Sequence, residues 1–462
     1  MSKQVTISPV DGRVFVEREY AGPVEIEDAV ERAVAAQRSW RHVPVSERAA
    51  ICTRFVAAFE ERRSAIAEEI AWQIGRPIGA APGEVRGTVE RARYMIDAAA
   101  SALADVDCGE KPGFRRFIRR EPHGVVLTIA AWNYPFLIAV NSVVPAIMAG
   151  NAVLLKHSAQ TPLAAERFAE CFAEAGLPAG VFQALHMTHA DTEQLVGDRR
   201  IGFVAFTGSV EGGAAIQRAA ANRFIPIGLE LGGNDPAYVR EDVDIAHAVE
   251  NLVDGAFFNS GQSCCGIGRI YVHRSLYQPF LDAFATLTLQ YRLGNPLDAE
   301  TTLGPVVRAS AADAIRETIE RARTAGARAL ISEEQFPQSR PGTPYLAPQV
   351  LVDVGHEMQI MQEEIFGPVV CILPVDDDEE AVRLMNDSRF GLTASVWTRD
   401  EEAAVTIGDQ INTGTWFLNR CDYLDPALAW VGVKDSGRGC TLSRVGYEHL
   451  TRPKSFHLRT RC

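Results

Sequence analysis

The sequence predicts an α/β fold on parallel sheets, in two α/β domains with a small β arm. Three observations carry that prediction. Short β-rich runs at 125–130, 153–155 and 203–206 are followed by helical stretches near 162–175 and 209–221, the alternation that βαβ units produce. The alternation continues from 235 to 435, with turn clusters at Gly294-Asn295-Pro296 and Gly367-Pro368, which suggests a second domain. The segment 106–122 is charged and lacks helical periodicity, and the tail after Gly439 holds a strand-like Ser455-Phe456-His457-Leu458; both read as strands of an arm.

Taken in order, the chain opens on helices. Ile26, Val30, Ala33 and Val34 recur at helical spacing, as do Ile51, Phe55, Phe59, Ile66 and Ile70, so the first hundred residues read as mostly helical. The N-terminus carries Lys3, Asp11, Glu17 and Glu19 without an apolar run, so no signal peptide is expected. The most apolar region, 137–150, is interrupted by Asn141, Ser142 and Pro145 and is too short to span a bilayer. The whole chain, 462 residues with 47% hydrophobic, is large enough for two or three sizeable cores. A net charge of -13 argues against nucleic-acid or anionic-membrane partners. Nine cysteines without a CxxC pair or zinc-like spacing suggest reduced thiols, a cytoplasmic protein and no metal site.

Five segments carry chemistry. In Phe257-Phe258-Asn259-Ser260-Gly261-Gln262-Ser263-Cys264-Cys265, a cysteine follows a turn of small residues that could expose its thiol. A thiolate there can attack a carbonyl carbon, provided a neighbouring base or dipole lowers its pKa from about 8.5. Its neighbour Cys265 reads as packing or as pocket lining. Glu230 stands between Leu229 and Leu231, ahead of Gly232-Gly233-Asn234. Buried, it would be a base with a raised pKa; half-exposed, it would be only a solvated carboxylate. Asn133, in Ala131-Trp132-Asn133-Tyr134-Pro135 after the first strand, could donate to an oxyanion or could shape the turn before proline. Phe206-Thr207-Gly208-Ser209 opens a helix whose positive end could meet a pyrophosphate, though it is not a GxGxxG fingerprint. Lys156 closes a strand and could meet a ribose or phosphate, or simply face water.

These segments together, in their order along nearly the whole chain, closely resemble the NAD(P)-dependent aldehyde dehydrogenase superfamily. The resemblance implies oxidation of an aldehyde to the acid by NAD or NADP, through a thiohemiacetal and a thioester on Cys264 that water then hydrolyses. Glu230 would be the general base, and Asn133 with the Cys264 amide the oxyanion hole. Trp132, Lys156, Ala159, Gly208, Ser209, Glu364 and Phe366 would line the cofactor site, with Asn386 and Gly391 supporting it. The implied fold is a Rossmann-like cofactor domain (1–105 and 123–231), a catalytic domain (232–438) and an oligomerisation arm (106–122 and 439–462) that builds homodimers or homotetramers. A coenzyme-A-acylating enzyme and a catalytically silent relative are the alternatives; Glu230 speaks against the first, and intact Cys264, Glu230 and Asn133 against the second.

The departures from the family pattern bear on specificity. Alanine at 159 replaces a glutamate frequent in NAD-preferring relatives, so NADP should be tolerated, with Lys156 and a protonated His157 available to its phosphate. Ser142 replaces a lysine common in relatives. The small-molecule aldehyde would meet Tyr134, Leu137, Asn141, Cys265, Arg420, Cys421 and Tyr423. An arginine found in succinate-semialdehyde enzymes is Asn141 here, which weakens an anionic substrate unless Arg420 substitutes. Asp422 and Asp425 would instead favour a cationic one.

Overall fold

The computed structural model describes residues 3–421 and 423–461. Two parallel sheets organise it. The first has six strands in the order Gly437–Arg438, Ile227–Glu230, Ile201–Thr207, Val125–Ala130, Ala152–His157, Phe182–Ala184. All pairs are parallel except Gly437–Arg438, which runs antiparallel to Ile227–Glu230. Val125–Ala130 and Ala152–His157 are buried throughout, as expected of strands covered on both faces. Strand order reverses between Val125–Ala130 and Ile201–Thr207, and ligand crevices form outside the carboxyl ends of strands at such a switch point. Asn133, Lys156, Ser209 and Glu230 all lie at or just beyond those ends.

The second sheet has seven strands in the order Arg328–Ala329, Gln349–Val352, Val369–Val375, Ile267–His273, Asp235–Val239, Thr393–Trp397, Thr415–Leu418. Only Arg328–Ala329 is antiparallel. Glu230 closes a strand of the first sheet and Asp235 soon opens one of the second. The carboxyl edge of one sheet is thereby joined to the amino edge of the other, where Cys264 precedes Ile267–His273. A third sheet pairs Thr451–Arg459, Phe114–Pro122 and Val106–Asp107, all antiparallel. Phe117 stacks on Phe456 across it (4.5 Å between centroids).

The structure departs from sequence expectation in three places. The N-terminus begins with a hairpin, Lys3–Ile7 with Val14–Glu19. It escapes hydrophobic patterning because its first strand buries the polar Gln4 and Thr6 and exposes Val5 and Ile7. The apolar positions from 51 to 70 divide between two helices, Val45–Glu61 and Arg63–Ile74. Gly437–Arg438, placed in the second domain by sequence, adds an edge to the first sheet.

Candidate active site

The Cys264 turn is built on unusual backbone. Asn259, Ser260 and Gly261 have φ of 52°, 57° and 69°, a left-handed stretch that costs non-glycine residues free energy. Gly261 admits no side chain, because a Cβ would strike the Gly367 carbonyl. Hydrogen bonds from distant parts of the chain hold the turn. Arg76 Nε donates to Asn259 Oδ1 (3.0 Å) and Arg76 Nη2 to the Asn133 carbonyl (2.5 Å). Asn133 Nδ2 donates to the Gln262 carbonyl (3.1 Å); an amide nitrogen carries two hydrogens, so one is left for another acceptor. Arg76 forms a fully buried ion pair with Glu84, whose other oxygen accepts from the Phe136 and Leu137 N–H groups (2.8 and 3.3 Å). Glu84 thus caps the helix Pro135–Met148, which follows Asn133.

Cys264 is half-buried and Cys265 buried. The sequence requires a depressed thiol pKa; here it is the reverse. The hydrogen bond with the Cys265 thiol, then burial, push Cys264 well above its ordinary value, and Glu364 and Asp235 add to this. The protonated thiol is thereby favoured, so a nucleophilic role for it would require a base. Glu230 lines the same cavity. Burial raises its pKa, opposed by Thr441, Arg91 and Thr207. Thr441 Oγ1 donates to one carboxylate oxygen (2.5 Å) and Thr207 Oγ1 to the other (3.4 Å).

The cavity, about 400 Å³, also receives Tyr134, Asn141, Arg420, Tyr423 and Cys265. Tyr423 donates to Glu90 (2.7 Å), and the Arg420 guanidinium lies 3.8 Å from the Tyr423 ring centroid. Cys421 does not belong with them. It is buried in the second core, its thiol donating to the Asn251 carbonyl (3.5 Å). Asp422 lies outside the described residues. Sequence reasoning missed Arg76, Glu84, Thr441 and Arg91. A signal existed for two: Glu84, Thr88 and Arg91 are polar residues buried at helical spacing on Pro82–Ala102.

Beside the cavity, Trp132 meets Phe366 edge-on (centroids 5.6 Å apart). Glu364 accepts from the Gly233 N–H (3.0 Å), and burial lifts its pKa to about 7. Ser209 caps the helix Val210–Ala219, accepting from the Gly212 N–H (3.1 Å). Asn386 braces a loop, donating to the Gln410 carbonyl and accepting from the Asn412 N–H (both 2.8 Å).

The sequence pattern of the aldehyde dehydrogenase family matches residues 2–456. This chain belongs to the aldehyde dehydrogenase family. It is 36% identical to an aldehyde dehydrogenase of Paenarthrobacter nicotinovorans, covering 97% of this chain and 98% of that protein. It is 34% identical to a succinate semialdehyde dehydrogenase [NAD(P)+] of Escherichia coli, covering 96% and 95%. The crystal structure of a succinic semialdehyde dehydrogenase from Streptococcus pyogenes with NADP+ superposes with a TM-score of 0.94 at 28% identity, covering 98% and 99%.

The residues present fit the dinucleotide this aldehyde dehydrogenase fold implies. Lys156 is only 6% exposed, and among the described residues its ammonium has no hydrogen-bond or ion-pair partner; burial lowers its pKa. A buried cation without a protein partner is costly, and a ribose or phosphate would satisfy it. His157 cannot help as expected. Its Nδ1 accepts from the Ser158 N–H (2.9 Å), its Nε2 meets the Pro135 carbonyl (2.9 Å), and burial drops its pKa to about 4. It is a neutral, structural imidazole. Ala159 brings no charge to the turn that follows; its carbonyl accepts from Thr6 Oγ1 (2.8 Å).

Proposed function

We propose that this aldehyde dehydrogenase works by the hydrolytic route, with Cys264 as nucleophile, Glu230 as general base and Asn133 as oxyanion donor. The enzyme oxidises an aldehyde to the carboxylic acid with NAD or NADP. One observation carries the assignment of roles: the Cys264 thiol and a Glu230 carboxylate of raised pKa line one cavity. Glu230 takes the thiol proton, and sulfur adds to the aldehyde carbon. The remaining Asn133 N–H, with the Cys264 amide, stabilises the alkoxide. Bound NAD(P)+ supplies the hydride acceptor. Glu230, once it has released the thiol proton to solvent, deprotonates the water that cleaves the thioester.

The Lys156 ammonium, the Ser209-capped helix end and Glu364 would hold the cofactor. The Cys264 turn belongs to the catalytic domain, and the three-stranded sheet is the arm through which homodimers or homotetramers form. No helix among the described residues is long and apolar enough to cross a membrane; the eight described cysteines stand as thiols outside any disulfide, which supports a cytoplasmic enzyme. NAD(P)H formation with a panel of aldehydes, with and without coenzyme A, tests the reading. Turnover independent of coenzyme A is expected; strict dependence on it would mean the acylating route.

A further inference from the structure

One buried cation in the cavity takes no step in this mechanism and has no ion-pair partner among the described residues. Arg91, from the helix Pro82–Ala102, is 9% exposed and lines the cavity with Cys264 and Glu230. Its Nη1 donates to the Leu137 carbonyl (3.0 Å) and to Asn141 Oδ1 (3.2 Å). Among the described residues no carboxylate stands within ion-pair distance of it, and its Nε and Nη2 have no protein partner. Neither atom is fully sealed from solvent. A guanidinium does not shed its proton in proteins, so the charge persists although burial opposes it; Glu230, beyond ion-pair distance, is the foremost of the nearby charges that favour it. Leaving it unpaired is expensive.

Of the other charged groups on the wall, Arg86 is exposed to solvent. Arg76 and Glu84 neutralise each other. Glu90 accepts from Tyr423. Arg420 is exposed and stacked on the Tyr423 ring. Glu230 and Asp254 both have pKa values raised by burial. Arg91 is therefore the buried charge with no carboxylate in contact, and two carbonyl oxygens fix its orientation. A single guanidinium matches a singly charged carboxylate, bidentate through Nε and Nη2. A phosphate dianion would bring a second charge towards Glu230.

We propose that Arg91, oriented by Asn141, receives the carboxylate of an aldehyde that carries a second, terminal acid group. This rests on the reading of Cys264 as the nucleophile. It also reverses what Asn141 implies in the sequence. The amide there does not leave the cavity without a cation; it accepts from one delivered by another helix. The substrate is then anchored at its carboxylate, with its carbonyl towards Cys264.

The test compares aldehydes of one length and different charge: 4-oxobutanoate, butanal and 4-aminobutanal. The wild-type enzyme should show a kcat/KM for 4-oxobutanoate about 10–100-fold above butanal, and least activity with 4-aminobutanal. In Arg91→Gln the ratio of the two kcat/KM values, 4-oxobutanoate over butanal, should fall by about the same factor, mainly through KM, with partial recovery in Arg91→Lys. The ratio divides out any shared effect on folding or on Glu230. A ratio unchanged by Arg91→Gln, or a wild type that prefers butanal or 4-aminobutanal, overturns the proposal while leaving the dehydrogenase intact. Failure to oxidise any of the three would instead strike the parent reading. Should Arg91→Gln not fold, the wild-type series still decides. So does calorimetric titration of the Cys264→Ala protein, which should bind 4-oxobutanoate about 10-fold or more tighter than butanal; equal binding overturns it.

Discussion

Two arginines on one wall of the cavity are used in opposite ways. Arg76 is 2% exposed and closed on protein: Glu84, Asn259 and the Asn133 carbonyl take its hydrogens, and Tyr134 covers its face at 4.5 Å. Arg91 is nearly as buried, yet only one of its nitrogens is engaged. On the proposed mechanism, the difference separates groups that build the site from groups that work in it. A closed set converts its charge into geometry, here the left-handed turn that presents Cys264. An open set keeps unspent hydrogen-bonding capacity for a ligand, at a cost in stability. Lys156, Glu230 and Cys264 fall with Arg91; Arg76, Glu84 and His157 form the closed set.

The comparison breaks if the open set turns out to be structural. The largest effect is expected for Cys264→Ala, which should lower kcat by at least about 10⁴-fold with Tm and cofactor affinity kept. Normal turnover would remove Cys264 from the mechanism. Next, Arg76→Met should cost about 3–5 kcal/mol of stability, because it strands the buried Glu84 carboxylate. Calorimetry would read this as a lowered Tm, and an unchanged Tm would place Arg76 in the open set instead.

Glu230→Gln should lower kcat by about 10²–10⁴-fold at little cost in Tm. A pre-steady-state burst of NAD(P)H followed by slow turnover would assign the loss to thioester hydrolysis. The pH profile has a definite sign. Burial favours the protonated carboxyl, so the base is present only above its raised pKa, and wild-type turnover should fall as pH drops through that value. A rate flat with pH in wild type and unaltered in Glu230→Gln would exclude both its roles.

The cofactor edge gives a smaller effect. With Ala159 uncharged and His157 neutral, Lys156 remains the buried cation available to a 2′-phosphate. Activity with both NAD and NADP is expected. Ala159→Glu should shift preference towards NAD by about 10-fold through electrostatic repulsion of the phosphate, chiefly in KM for NADP. Parallel titrations of both cofactors would show it, and an unchanged preference would refute the role of Ala159. Least of all, Cys265→Ala should retain most activity, and removing its hydrogen bond should ease ionisation of Cys264; a shift of the thiol pKa upwards would contradict that account.

Local pattern alone determined a good deal. The strand–helix alternation and the break into two sheets were legible because βαβ periodicity survives as contiguous text, and the segments around Cys264, Glu230 and Asn133 were legible as candidates through their resemblance to a family. Runs such as Val125–Ala130 are apolar at every position since both faces are covered. The hairpin Lys3–Ile7 was hidden for the opposite reason, with polar residues inside and valine and isoleucine out. Tertiary structure alone decided which groups face each other. Arg76 reaches Asn259 across 183 positions, and Arg91 meets Asn141 across 50. Cys421 turned into a core and His157 into a backbone brace for the same reason: a side chain's partners come from packing of distant segments. Burial then sets its pKa, and neither packing nor burial is written within a few residues of the group concerned.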